Sequence, residues 1–204
     1  MSDDILTPEE IAERISKKAD VSSIRIQIRC EGVKKCGNKN LWLTINRETL
    51  RDAVKELMEI SYPHLSCISG FDEGADSKNL RVQYNFSIYG GVPKNETMVI
   101  LSLDVPKEDA WLPTITDMME GTAFTEHEKT EYLGIEIRGL SKAHRFFLPE
   151  DFPENVYPLR KDDKKIPNSM VNDLWASGRP KRDNPPLAEK KDIKEAEIHQ
   201  GGVN

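Results

Sequence analysis

The nine residues from Leu80 to Ile88 constrain the fold most. Leu80, Val82, Tyr84, Phe86 and Ile88 alternate with Arg81, Gln83, Asn85 and Ser87. This period of two marks a strand with one face on a core and the other on solvent. Such a strand needs paired neighbours and an apolar layer over its buried face. Gly90-Gly91-Val92-Pro93 reads as a turn, and Thr97–Val105 returns with Val99, Leu101 and Leu103 on one side. Upstream, Ile24, Ile26 and Ile28 alternate with Arg25, Gln27 and Arg29, which predicts a half-buried strand over Ser23–Arg29. Leu41, Leu43 and Ile45 mark a second strand over Asn40–Asn46, joined to the first by the long loop Glu31–Lys39. Leu65–Phe71 is a short strand before the polar turn Asp72–Lys78.

Two helices supply the covering layer. Thr7-Pro8-Glu9-Glu10 is a capping box with proline at the first helical position, and Ile11 and Ile15 follow four apart. Asn46 caps a helix over Arg47–Ile60, where Leu50, Val54, Leu57 and Met58 form one stripe. The order α-β-β-α-β-β-β predicts an α+β fold, a mostly antiparallel sheet with helices on one face, over residues 1–106. Residues 107–162 change character. Short helices are expected over Trp111–Glu120 and Phe124–Leu133, the second closed by Gly134, with a strand-like Ile135-Glu136-Ile137 after it. Residues 163–204 are rich in proline and charge and poor in aliphatics, so they cannot bury enough apolar area to fold alone. They are expected to form an extended C-terminal strap that wraps a partner.

Charge and composition exclude several classes. The net charge is −6, and residues 161–204 carry nine basic and eight acidic side chains, so the remainder holds −7. That balance disfavours nucleic acid as a partner, because binding its phosphates needs a positive face. No run approaches the roughly 18 apolar residues of a membrane span. The acidic MSDDILTPEE start has no apolar segment of a secretory signal. Three cysteines without such a signal point to a reducing cytoplasm. On the same ground, the acceptor-like Asn95-Glu96-Thr97 is not expected to carry sugar.

Reaction chemistry is sparsely signalled. Cys30, Cys36 and Cys67 lack the fourth ligand and the C-x₂-C element usual for an iron–sulfur cluster, and they read as small thiols. His127-Glu128-Lys129-Thr130-Glu131 has the outline of a zinc-binding H-E-x-x-H helix with its second histidine replaced by glutamate. A stand-alone metal-dependent hydrolase using His127 and nearby acids is the alternative that this segment leaves open. No nucleotide-cradling glycine loop or nucleophile elbow is present.

Two segments carry a family pattern. Glu126, Glu128, Gly134 and Ile135 fall where an E-R-E…D-x-x-G-I motif places them. Arg145, Leu148, Pro149, Asp151 and Phe152 follow R-R-x-L-x-P-x-D-W/F, and Pro158-Leu159-Arg160-Lys161-Asp162 matches P-L-R-K-D in full. Trp111–Asp117 carries the P-x-I-x-D entry to this region. Residues 106–163 thereby resemble the C, or thirty-kilodalton, subunit family of respiratory complex I and its hydrogenase relatives. Phe124, His127 and Glu131 replace the family's tryptophan, arginine and aspartate. Together with the long tail, these departures look most similar to the C-like subunits of archaeal membrane-bound nickel–iron hydrogenase and membrane-bound sulfane sulfur reductase.

The resemblance implies a non-catalytic, cofactor-free scaffold on the cytoplasmic side of the membrane, inside an ion-translocating oxidoreductase complex. Iron–sulfur clusters, and in a hydrogenase a nickel–iron centre, would sit in partner subunits. Those partners would be a large hydrogenase-like (D-type) subunit, a small cluster-bearing subunit, a ferredoxin-like cluster subunit and antiporter-like membrane subunits. A quinone- or deazaflavin-linked complex I-type dehydrogenase is the variant assembly. The implied docking residues are Phe124, Glu126, Glu128, Glu131, Gly134, Arg145, Pro158, Leu159, Arg160, Lys161 and Asp162. Helical spacing puts Phe124, Glu128 and Glu131 on one face, and the planar forks of Arg145 and Arg160 are expected to hold carboxylates there. Pro158 should fix the direction in which the strap leaves.

Overall fold

A computed structural model of the chain describes residues 5–31, 36–74, 76–92, 95–141 and 145–161. Among these residues, seven strands and three α-helices follow in the order α1 (Pro8–Ser16), β1 (Val21–Glu31), β2 (Cys36–Ile45), α2 (Leu50–Ile60), β3 (His64–Asp72), β4 (Asn79–Ile88), β5 (Thr97–Pro106), β6 (Trp111–Pro113), α3 (Thr122–Leu133) and β7 (Glu136–Arg138). Local chemistry starts both early helices. Thr7 Oγ1 accepts from the Glu10 N–H at 3.3 Å while Glu10 Oε2 accepts from the Thr7 N–H at 2.7 Å. Asn46 accepts from the Glu48 N–H at 3.1 Å, and a 3₁₀ turn over Arg47–Thr49 leads into α2.

Strands β1 to β5 form one sheet in the order β1-β2-β5-β4-β3. All neighbours run antiparallel except β2 and β5, which run parallel with Leu43 opposite Leu101. The chain leaves β2 through α2, lays down β3 and β4 beyond, and returns to fill the place beside β2. The alternating residues of β4 meet those of β5 across the ladder, Tyr84 opposite Leu101 and Phe86 opposite Val99. With Leu41, Leu43 and Ile45 they form one buried face, covered by Ile11, Ile15, Leu50, Val54 and Leu57 from α1 and α2. This is the α+β architecture that the periodicity predicts, with its helices on one face.

Two expectations are corrected. Trp111–Glu120 is not a helix. Trp111–Pro113 forms β6, which pairs parallel with β7, Leu112 opposite Ile137, and the chain then turns through residues 114–121. Burial of Leu112, Ile115 and Ile137 decides it, together with the hold of Glu126 on the turn. The isoleucine face of β1 is also less buried than its alternation suggests. Ile24 and Ile28 are 51% and 52% exposed, because β1 is an edge strand with a neighbour on one side alone in the described sheet. The expected strap, residues 163–204, lies outside the described residues, as does Asp162.

Candidate docking surface

Helix α3, its C-cap Gly134 and the segment from Arg145 to Lys161 carry all the expected docking residues that are described. The helix sits against β3: a Cβ on Gly70 would come within 2.7 Å of the Leu133 side chain. Its inward residues are Glu126, Lys129 and Leu133, all buried, whereas Phe124 is 59% exposed. Gly134 ends the helix in the left-handed region at φ 65, as its place after the last turn predicts.

Glu126 holds the turn that follows β6. Its carboxylate accepts from Thr114 Oγ1 at 2.5 Å, the Ile115 N–H at 3.0 Å and Thr116 Oγ1 at 3.0 Å. Burial raises its carboxyl above the ordinary value, and these three donors oppose that only in part. Three satisfied bonds make it a structural anchor, deeper than its place in an E-x-E motif reveals.

Glu131 anchors the returning segment. It accepts from the N–H groups of Phe146 at 2.7 Å, Phe147 at 2.9 Å and Leu148 at 2.8 Å. Burial works to raise this carboxyl, but the three N–H donors and the Arg145 guanidinium outweigh it and hold it below the usual range. The anchor sets Phe146 and Phe147 against the helix. Phe124 lies with its ring centroid 6.2 Å from Phe146 and 4.6 Å from Phe147. His127 meets Phe146 edge-on at 5.0 Å, and Tyr132 lies 5.6 Å from Phe147. Phe146 is 55% exposed, so two of these aromatics stand open to solvent side by side.

The two arginines act differently from expectation. Arg145 donates to the carbonyls of Phe152 at 2.6 Å and Pro149 at 3.2 Å. Arg160 donates to the carbonyls of Leu133 at 2.7 Å and Gly134 at 3.3 Å, and it lies over the Tyr157 ring at 4.8 Å. The carboxylates expected to receive them are engaged elsewhere, Glu131 with backbone N–H groups and Glu128 with Lys129. Orphan carbonyls at the end of α3 offer an arginine as good a partner as a carboxylate.

The end of the returning segment, at Lys161, is held by a residue that no motif marks. Asp72, at the end of β3, accepts from the Lys161 N–H at 2.9 Å and the Gly74 N–H at 2.9 Å, and pairs with Lys107 at 2.7 Å. Burial pushes its carboxyl up, yet Lys107 and these two N–H groups prevail and hold it below the usual value. Leu159 N–H donates to the Tyr132 carbonyl at 3.1 Å, leaving the Leu159 side chain 48% exposed.

The outline of a zinc helix around His127 is put to other uses. His127 packs on Phe146, Glu128 pairs with Lys129, and Glu131 holds backbone. Among the described residues no group of three or more His, Cys, Asp or Glu could hold a metal ion. Cys30 and Cys67 are free and exposed.

Residues 43–168 match the profile of the family described as respiratory-chain NADH dehydrogenase, 30 Kd subunit. The chain belongs to that family. Within it, the chain is 26% identical over 163 residues to membrane-bound hydrogenase subunit beta of Pyrococcus furiosus, covering 80% of this chain and 90% of that protein. It is 28% identical over 148 residues to NADH-quinone oxidoreductase subunit 5 of Thermus thermophilus, covering 70% of this chain and 69% of that one. The fold is similar to a chain in the structure of the membrane-bound sulfane sulfur reductase, an archaeal respiratory membrane complex. There the TM-score is 0.61 at 19% identity, with 88% of this chain and 98% of the other covered. The thirty-kilodalton relatives are thus subunits of complex I-like oxidoreductases. Among the described residues of this chain, no helix is long and apolar enough to cross a membrane.

Proposed function

We propose that this chain is a scaffold subunit of a membrane-attached, complex I-like oxidoreductase of the hydrogenase or sulfane sulfur reductase type. It carries no redox centre of its own, lies peripherally on the cytoplasmic side, and docks the large hydrogenase-like subunit through α3 and residues 145–161. Iron–sulfur clusters, and a nickel–iron centre where present, belong to partner subunits, and residues 163–204 extend along a partner.

One observation supports this reading above the others. The signature side chains are spent on holding backbone: Glu131 on three N–H groups, Arg145 and Arg160 on carbonyls. The grip of Glu131 sets Phe146 beside Phe124 of α3 as an exposed aromatic pair, with Leu159 exposed on the same returning segment. Large apolar groups fixed rigidly at a surface suit a partner's pocket, since such anchors carry most of the energy of an interface. Affinity capture of the chain from gently solubilised native membranes tests the proposal. The expected companions are a large subunit, cluster-bearing small subunits and antiporter-like membrane proteins. Recovery of the chain alone, or with one metal, cluster or flavin bound per chain, would overturn it.

A quinone-linked assembly is the second reading. The similarity to an NADH-quinone oxidoreductase subunit over 70% of this chain favours it. The same capture separates the two through the identity of the companions.

A further inference from the structure

Outside the signature region, the edge strand β1 combines three features that no docking residue uses. It runs eleven residues from Val21 to Glu31, and in the described sheet only its β2 side is paired. Its one irregularity lies at Val21/Ser23, so the ladder from Ser23 onward is regular. The far edge of the sheet is managed differently: β3 is broken by a bulge at Leu65/Cys67, and its end is occupied by Lys161. A long, regular edge with free backbone groups is a template for another strand unless charge, bulges or a covering element blunt it.

The two faces of β1 differ in chemistry. Ile24 lies opposite Leu43 and Ile26 opposite Leu41, so these side chains continue the core face toward the edge of the sheet. Ile24 and Ile28 remain half exposed there. Arg25 lies across the Trp42 ring at 5.0 Å on the other face, which it shares with Arg29, and both arginines are exposed. From Ser23 to Cys30 there are two arginines and no acid. We propose that the free edge of β1 accepts an added strand from a partner protein in which aliphatic and acidic residues alternate.

The geometry of strand addition dictates that occupant. A new strand sets its side chains beside those of β1 on the same two faces, aliphatics against Ile24, Ile26 and Ile28, and acids against Arg25 and Arg29. A second copy of this chain is a poorer occupant, because the same stretch would add two more arginines to the basic face.

The full chain and two synthetic peptides test this, one alternating valine with glutamate and the other valine with lysine. Hydrogen exchange of the full chain should slow at the β1 amides with the glutamate peptide and not with the lysine peptide. The double variant Arg25→Glu/Arg29→Glu should weaken glutamate-peptide binding about tenfold or more and favour the lysine peptide, given the size of cross-strand charge effects. Ile24→Thr/Ile28→Thr should also weaken binding, and circular dichroism checks that both variants stay folded. Equal protection by both peptides overturns the proposal, as does protection elsewhere or none at all. Protection of β1 that grows with protein concentration in the absence of peptide shows self-pairing and also overturns it. The docking reading of α3 is untouched by any of these results, because no residue is shared.

Discussion

Gly134 lies so close beneath the ring of Tyr157 that a Cβ on it would stand 2.3 Å from the ring carbon Cζ. The end of α3 and the run into the strap are thereby sealed face to face, with Arg160 bridging them through the Leu133 and Gly134 carbonyls. This contact explains why glycine is required at a point where any other residue would also strain the backbone at φ 65.

Gly134→Ala should destabilise the chain by about 2–4 kcal/mol, combining left-handed backbone strain with the clash. Urea denaturation measures it. Tyr157→Ala in the same chain should recover part of the loss, because the two changes share one contact. A Gly134→Ala midpoint equal to wild type would show that the ring does not sit where it is described.

Asp72 holds the end of the returning segment through the Lys161 N–H. Asp72→Ala leaves Lys107, itself largely buried, without its partner and frees the Lys161 N–H, so a loss of about 3–5 kcal/mol is expected. Its carboxyl is held below the usual 3.8, so its contribution is present above that value and fades as the pH falls through the lowered one. The stability gap between wild type and Asp72→Asn, read by urea denaturation with circular dichroism, should therefore be widest above pH 3.8 and close as the pH falls below it.

Glu126 and Glu131 should respond to pH with opposite signs. The carboxyl of Glu126 is raised above 4.5, so the stability its protonated form contributes is full below 4.5 and is lost as pH rises through the raised value. Glu126→Gln should remove that decline, and its melting temperature relative to wild type should climb over the same window. Glu131 is held below 4.5, so its contribution is present above 4.5 and lost on acidification. Glu131→Ala frees three N–H groups and should raise hydrogen exchange at Phe146, Phe147 and Leu148 at neutral pH.

Much of the sheet was legible because Leu80–Ile88 obeys a period of two and its buried face is covered. The same signal misled at Ile24 and Ile28, since alternation tells which residues share a face and not whether a helix reaches that face. β6 was hidden because three residues give no period, and its partner β7 lies beyond α3 in sequence. Glu126 and Glu131 stand in the motif and both hold backbone, but the partners of Arg145 and Arg160 are carbonyls, which every residue carries and no sequence pattern marks. The grip of Asp72 on Lys161 spans 89 positions and left no local trace at all.

In the proposed assembly, α3 and the returning segment present a surface for the large subunit. Quantitative capture from native membranes with Phe124→Ser/Phe146→Ser tests it most directly, since both side chains are exposed and their loss should spare the fold. The variant should melt like wild type yet retain less than about a tenth of the large subunit, the effect expected of two interface anchors. A folded variant that brings down the large subunit at the wild-type ratio would contradict it.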